Sequence, residues 1–411
     1  MPHLVRNLSQ LLLCASIALV ASSLFIIVLL DIPLHALDIT NARYFSSPFE
    51  NTGSTTLGNT VSRVYVISLP RRTDRRAEMD KLQKALALNW TYVDAVDATD
   101  PEAVETHTSY QTVDGHRSVV NRYVPTFLWP QDIDELAHGS QPLPLSGADL
   151  WIQASVPARH TPAETTVAGS MQTGSLDETG QSPPPPLACT RRNNLFASFS
   201  DRLPPYKRLT PGKVACWHSH LQVIQDVANG EDNRPALVLE DDIDMEKDVG
   251  ARLAALWGGL PAEWDIVYLG HCWSNETEHA PLRVVSSPLF LPSDDLVEQG
   301  YNPSALHPSS GPKCTHGYVL SRTGARRILL HLRHPPFAYS RAIDQALSWL
   351  VKSDRLHAFS VVPPIIVQRK VGKSDLVEGT GSSWKDHLYD PVLGWDRKAE
   401  VVDVAGTAVQ E

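Results

Sequence analysis

This chain has no excess of positive charge. Its 411 residues carry 36 Lys and Arg against 46 Asp and Glu, a formal net charge of −10. That excludes a general nucleic-acid surface, so any nucleotide must be held by a local basic cluster. Cysteine is scarce, at 5 residues. Four of them, Cys189, Cys216, Cys272 and Cys314, follow the first apolar run at spacings that fit no zinc motif. In an oxidising compartment they could form two disulfides in one of three pairings; the alternative is free buried thiols. Hydrophobic periodicity is missing from Asp31 to about Thr60, which reads as a stem, and again from about Thr99 to Pro205. Within the second stretch, His160 to Pro186 is mostly Thr, Ala, Gly, Ser, Glu and Gln and ends in four prolines. A structureless segment of that length does not fit inside a compact domain, so its middle is expected to be a disordered insertion.

What is present begins with Leu11 to Leu30, an uncharged run with the length of a bilayer-spanning helix. Arg6 and the α-amino group precede it without an acid, which puts that end in the cytosol and the remainder across the membrane. A cleaved signal peptide is the rival, but its apolar core is shorter, roughly 7–15 residues. The reading is an uncleaved type II anchor of Golgi or ER, with a cytosolic tail at 1–10, the stem at 31–61 and a lumenal domain at 62–390. The insertion falls at about 99–204, and a flexible tail follows at 391–411. Two glycosylation sequons lie beyond the anchor, Asn89-Trp90-Thr91 and Asn275-Glu276-Thr277.

Strand and helix patterns alternate through the domain. Val64–Ile67 reads as a strand, Met79, Leu82 and Leu86 as one helical face stopping near Asn89, and Tyr92–Val96 as a second strand. Leu221, Ile224 and Ala228 make a helical face capped by Gly230. Ala236–Leu239, Asp265–Gly270, Gly317–Leu320 and Phe359–Val362 read as further strands. Helices are expected around Leu253–Trp257, after a Ser321 cap, and from Ile343 to Val351. Such alternation means an α/β fold with a largely parallel sheet.

Three constellations could carry chemistry. The strand Ala236–Leu239 ends in Glu240-Asp241-Asp242-Ile243-Asp244. In open α/β sheets the carboxyl ends of strands border the ligand site. Adjacent carboxylates need a cation or hydrogen-bond donors, and oxygen ligands suit Mg²⁺ or Mn²⁺; a solvated acidic turn is the alternative. Arg71, Arg72, Arg75 and Arg76 stand between the first strand and its helix, where phosphate binds well. Cys216-Trp217-His218-Ser219-His220 forms the third cluster, read as a hydroxyl and imidazole for a nucleotide or sugar, or as a core-packed helix start. A zinc site from His218, His220 and His271 has no support in the spacing.

Taken in order, these segments resemble glycosyltransferase family 25. Val66-Ile67-Ser68-Leu69-Pro70-Arg71-Arg72-Thr73-Asp74-Arg75 is similar to the family's first motif, with Ser68 replacing an Asn. Tyr92–Asp97 and Gly212–Leu221 are similar to the next two, with Ala215 replacing a Gly. Leu237–Asp242 resembles its metal motif and Thr315–Ala325 a later segment. Pro364–Gln368 and Ser374-Asp375 resemble its close. The resemblance implies a GT-A type nucleotide-sugar fold with a mixed, largely parallel sheet. It also implies a UDP-sugar donor, UDP-galactose first, and Mn²⁺ or Mg²⁺ at Asp242 with Glu240, Asp241 or Asp244. The donor would meet Ser68, Arg72, Arg75, Ser219, His220, Gly317 and Tyr318. Inverting transfer to a glycan, protein or lipid-linked acceptor would use Asp344 as base, or Asp265. Ser68, Ala215 and the insertion motivate the alternative, a non-catalytic sugar-binding or chaperone-like lumenal relative. A metal-dependent phosphohydrolase is a third reading.

Overall fold

The computed structural model describes residues 57, 60–99, 113, 117, 120, 127–144, 187–190, 196, 199–285, 303–369 and 388–394. All of them belong to one compact unit, Ser54–Glu411. Among the described residues no helix is long and apolar enough to cross a membrane. The predicted span at 11–30, most of the stem, residues 145–186 of the insertion and the motif at Ser374-Asp375 lie outside them.

The domain is built on an eight-stranded sheet of order β2-β1-β5-β10-β7-β11-β9-β8. These strands are β1 (Arg63–Ser68), β2 (Thr91–Asp94), β5 (Ala236–Glu240), β7 (Ile266–Cys272), β8 (Arg283–Val285), β9 (Ser304–Pro308), β10 (Lys313–Leu320) and β11 (Ala358–Val362). β2, β1 and β5 pair in parallel, as do β7 and β11. β10 runs antiparallel between β5 and β7, and β9 and β8 add an antiparallel edge. The sheet is therefore mixed, as expected, but four of its seven strand pairings are antiparallel, which corrects the expectation that it is largely parallel. The sequence shows strands but not their direction. β8 and β9 escaped notice because they are short and β9 holds Ser, His and Pro.

The central strands are apolar on both sides, as strands covered on two faces must be. In β1, Tyr65 and Ile67 enter one core and Val64 and Val66 the other; in β5, Val238 and Leu239 divide the same way. The first core is packed by α3 (Pro211–Asn229), α5 (Arg322–Leu332) and α6 (Ile343–Lys352). The second is packed by α1 (Thr73–Leu86) and α4 (Val249–Trp257). The predicted stripe of α1 is buried at Met79, Leu82 and Leu86. The helix ends at Ala87, with left-handed φ of 51°, two residues before Asn89. α3 is capped by Thr210, with Pro211 in its first turn. In α5, Ser321 Oγ accepts the Gly324 N–H at 2.9 Å and donates to Trp264 O at 2.7 Å.

Part of the expected insertion is built into this domain. α2 (Ile133–His138) and Leu143 pack into the first core. Arg326 donates to the carbonyls of Leu136, Ala137 and Gln141, at 2.9, 3.1 and 2.9 Å. These include the helix-end carbonyls that would otherwise lack partners. β3 (Leu187–Ala188) pairs with β4 (Arg208–Leu209), closing the segment before α3.

Candidate functional site

The acidic run is a tight corner. β5 ends at Glu240, Asp241 and Asp242 turn, and β6 (Ile243–Met245) leaves the main sheet to pair with β12 (Ile366–Gln368). That pairing needs β12 to pass close over the sheet. A Cβ on Gly270 would lie 2.6 Å from Ile366 O and 2.4 Å from His316 Nε2, so only glycine fits there without displacement. The crossing brings Gln368 over the turn, where its Nε2 donates to Asp242 at 3.2 Å.

An open cleft enclosing about 780 Å³ of space, part of it solvent, lies at the carboxyl ends of β1 and β5. Its cavity volume proper is about 130 Å³, below the few hundred Å³ usual for small-molecule sites, so a ligand there stays partly in solvent. Ser68, Arg71, Arg75, Asp97, Ser219, His220, Glu240, Asp241, Asp242 and Gln368 all line it. Arg75 Nη1 stands 2.8 Å from Asp241 and 3.3 Å from Asp242. Arg71 pairs with Asp97. The other two arginines turn elsewhere. Arg72 pairs with Asp74 at 2.8 Å, and Arg76 holds Ser68 O, Asp94 and the face of Tyr92. The arginine cluster therefore divides between the cleft and the support of β1 and β2.

Glu240 is tied down from below. Thr315 Oγ1 donates to it at 2.7 Å, and His220 Nε2 is 3.4 Å away, with the His220 Nδ1 edge on Tyr318 Oη at 2.9 Å. Burial pushes Glu240 up, but His220, His316 and Thr315 outweigh it and hold the carboxyl below its usual range. Asp242 goes the other way, raised first by burial and then by the charge of Glu240, against Arg75. Three carboxylates at one corner exceed the single guanidinium that answers Asp241 and Asp242.

The remaining predicted residues scatter. Ser219 Oγ donates to Ala215 O at 2.8 Å and accepts the Val96 N–H at 2.9 Å, so it fixes the 95–99 wall. Gly317 and Tyr318 lie in β10 beneath the cleft rather than in its lining. Asp244 faces away: it accepts the N–H groups of Met245, Leu393 and Gly394, at 2.8, 3.1 and 3.1 Å. Together with Glu246 it anchors 389–394 against β6. Asp265 precedes the first residue of β7, at the opposite end of that strand from the cleft side of the sheet. It is fully buried, paired with Arg327 and accepting the His357 N–H at 2.8 Å. Asp344 opens α6, half-buried and raised chiefly by burial, and is absent from the cleft lining.

Among the described residues no three His, Cys, Asp or Glu side chains converge as a metal cage would. The predicted four-carboxylate set divides, with Glu240 on His220 and Thr315 and Asp244 on the 389–394 segment. What stays together is Asp241 and Asp242. A Mg²⁺ or Mn²⁺ ion held by one or two carboxylates, with phosphate and water completing its shell, is the coordination such a pair fits. Cys272 and Cys314 form a disulfide, while Cys189 and Cys216 are free. Gln368, Asp97 and Thr315 were not singled out from the sequence. Each stands within a segment that resembles a family motif, Tyr92–Asp97, Thr315–Ala325 or Pro364–Gln368, but none has a residue type or spacing that marks a role.

Residues 187–345 match the profile of glycosyltransferase family 25 (LPS biosynthesis protein). Two curated proteins are similar over 141 residues. The "Probable inactive glycosyltransferase 25 family member 3" of Bos taurus is 34% identical. The "Inactive glycosyltransferase 25 family member 3" of Homo sapiens is 30% identical. Each alignment covers 33% of this chain and 20% of the relative, so the matched part is about a fifth of either relative's length.

Proposed function

We propose that this chain, which carries a glycosyltransferase family 25 domain over residues 187–345, binds a nucleoside diphosphate sugar in the cleft and acts as a non-catalytic, sugar-binding member of its family. The cleft combines the Asp241–Asp242 pair and Arg75 with, among the described residues, no uncommitted carboxylate to act as base, and this observation carries the reading. Asp97 and Glu240 are held by Arg71 and by His220 with Thr315, and Asp344 lies outside the lining. The names of both relatives agree with it. In this reading the domain has a GT-A type fold and faces the lumen of Golgi or ER. Asp241 and Asp242 would hold a divalent ion, which would supply positive charge to neutralise the diphosphate. Arg71 lines the same cleft, Gln368 orients Asp242, and Ser219 fixes the 95–99 wall.

Metal-dependent inverting transfer to a glycan, protein or lipid-linked acceptor is the second reading. The position of Asp344, close enough to Glu240 for their charges to interact, favours it. Incubating the purified lumenal domain with Mn²⁺ and a panel of UDP-sugars separates the two. Binding without donor turnover supports the first, turnover supports the second, and absence of both removes the cleft from sugar-nucleotide chemistry.

A further inference from the structure

The sequon Asn275-Glu276-Thr277 follows Trp273, which lies just beyond β7 and next to the Cys272–Cys314 disulfide. Trp273 is the most unusual surface residue described. Its indole is 71% exposed, and its backbone has a positive φ of 58°. A bulky residue rarely adopts that conformation, and where it does the surroundings impose it. Here the disulfide on one side and a tight turn at Glu276–Glu278 on the other hold the chain. Asn275 is exposed in that turn. Thr277 Oγ1 donates to Asn275 Oδ1 at 2.7 Å, so the two polar ends of the sequon already meet. Glu276 points inward, and its carboxylate takes the Ser310 N–H, which pins the middle of the turn. The other sequon also has an exposed Asn, Asn89, but differs after it. Thr91 starts β2 and is registered against Tyr65, and Trp90 packs against the second core.

We propose that Asn275 carries an N-linked glycan and that the exposed face of Trp273, two residues earlier, is the platform on which its first sugar rests. The co-substrate is a lipid-pyrophosphate-linked oligosaccharide. The Asn275 Nδ2–C1 bond forms as the C1–O bond to phosphate breaks. The amide gives up one proton, and the lipid pyrophosphate leaves with the bonding pair. An apolar sugar face on an aromatic ring removes both from water, and the fixed indole loses little freedom in doing so. The proposal is independent of the cleft.

The test uses the full chain expressed in cells whose secretory lumen performs this transfer. Peptide mass spectrometry reads occupancy at Asn275, and thermal melts compare material before and after a peptide N-glycosidase, which hydrolyses the Asn275 Cγ–Nδ2 bond and so removes the first sugar with the rest. The expected result is an occupied Asn275, lost in Thr277→Ala but retained in Thr91→Ala. Removing the glycan lowers Tm by about 2 °C in the natural chain and in Trp273→Phe, but not in Trp273→Ala. A bare Asn275, including one in a chain that never reaches the lumen, overturns the proposal. Equal Tm losses in the natural chain and Trp273→Ala overturn the stacking.

Discussion

Replacing Arg327 with Met should separate structure from chemistry at Asp265. The Asp265 carboxylate is 1% exposed, and its charge is answered by Arg327 and the His357 N–H. Arg327 is itself 7% exposed and also meets Asp134 at 3.0 Å, but Asp134 is solvated and contributes little. Removing one partner of a buried pair leaves an uncompensated charge, at a cost of about 3–5 kcal/mol. In a domain of this size that lowers Tm by on the order of 10 °C. The pH dependence gives the sharper signature. Burial already raises the Asp265 pKa, and Arg327 holds it down. Without Arg327 the folded-state pKa climbs further above the unfolded value of about 3.9. A carboxyl raised in the fold is stabilised in its protonated form. The variant's deficit should therefore be full at neutral pH, shrink as pH falls through the raised pKa, and vanish below about 4. Urea melts of natural chain and variant from pH 7 to 4 measure the difference. Asp265→Asn combined with Arg327→Met should recover most of it at pH 7. A pH-independent deficit, or a double variant no better than the single, would refute the buried-pair account.

Three further outcomes are expected. His218, His271 and His331 are each lowered to about 4, chiefly by burial. The unfolded chain binds protons first below about 6.5, so urea melts should show stability falling between pH 6.5 and 4, by up to roughly 3 kcal/mol per histidine. His218→Phe should flatten that slope. Asp244→Ala leaves the Leu393 and Gly394 N–H groups without their carboxylate, so amide exchange there should accelerate at least tenfold while β1 stays protected. Ser321→Ala removes the α5 cap and the bond to Trp264 O, and should cost about 1–2 kcal/mol by chemical denaturation.

The fold was legible wherever burial imposed a period. Met79, Leu82 and Leu86, or Ala236 through Leu239, could hardly be read otherwise. Sheet direction was not legible, because β10 carries the same apolar pattern whether it runs with β5 or against it. Of the site, the turn Glu240-Asp241-Asp242 and Arg75 could be read from their place at strand ends. The fate of Asp244 could not. Proximity in sequence suggested a shared ligand set, but β6 alternates its side chains and sends Asp244 to a segment about 150 residues later. Gln368 reaches the site only through the β6–β12 pairing, which no local pattern announces. Asp265 and Asp344 look alike as carboxylates beside elements, and the separating information is their partners across the fold.

The central claim is that the cleft holds a sugar nucleotide without transferring the sugar. Calorimetric titration of UDP-galactose in Mn²⁺, with product analysis of the same samples, tests it most directly. The account predicts saturable binding, lost by at least tenfold in Asp242→Ala, with the donor recovered intact. Donor turnover that Asp344→Asn abolishes, or binding indifferent to Asp242→Ala, would contradict it.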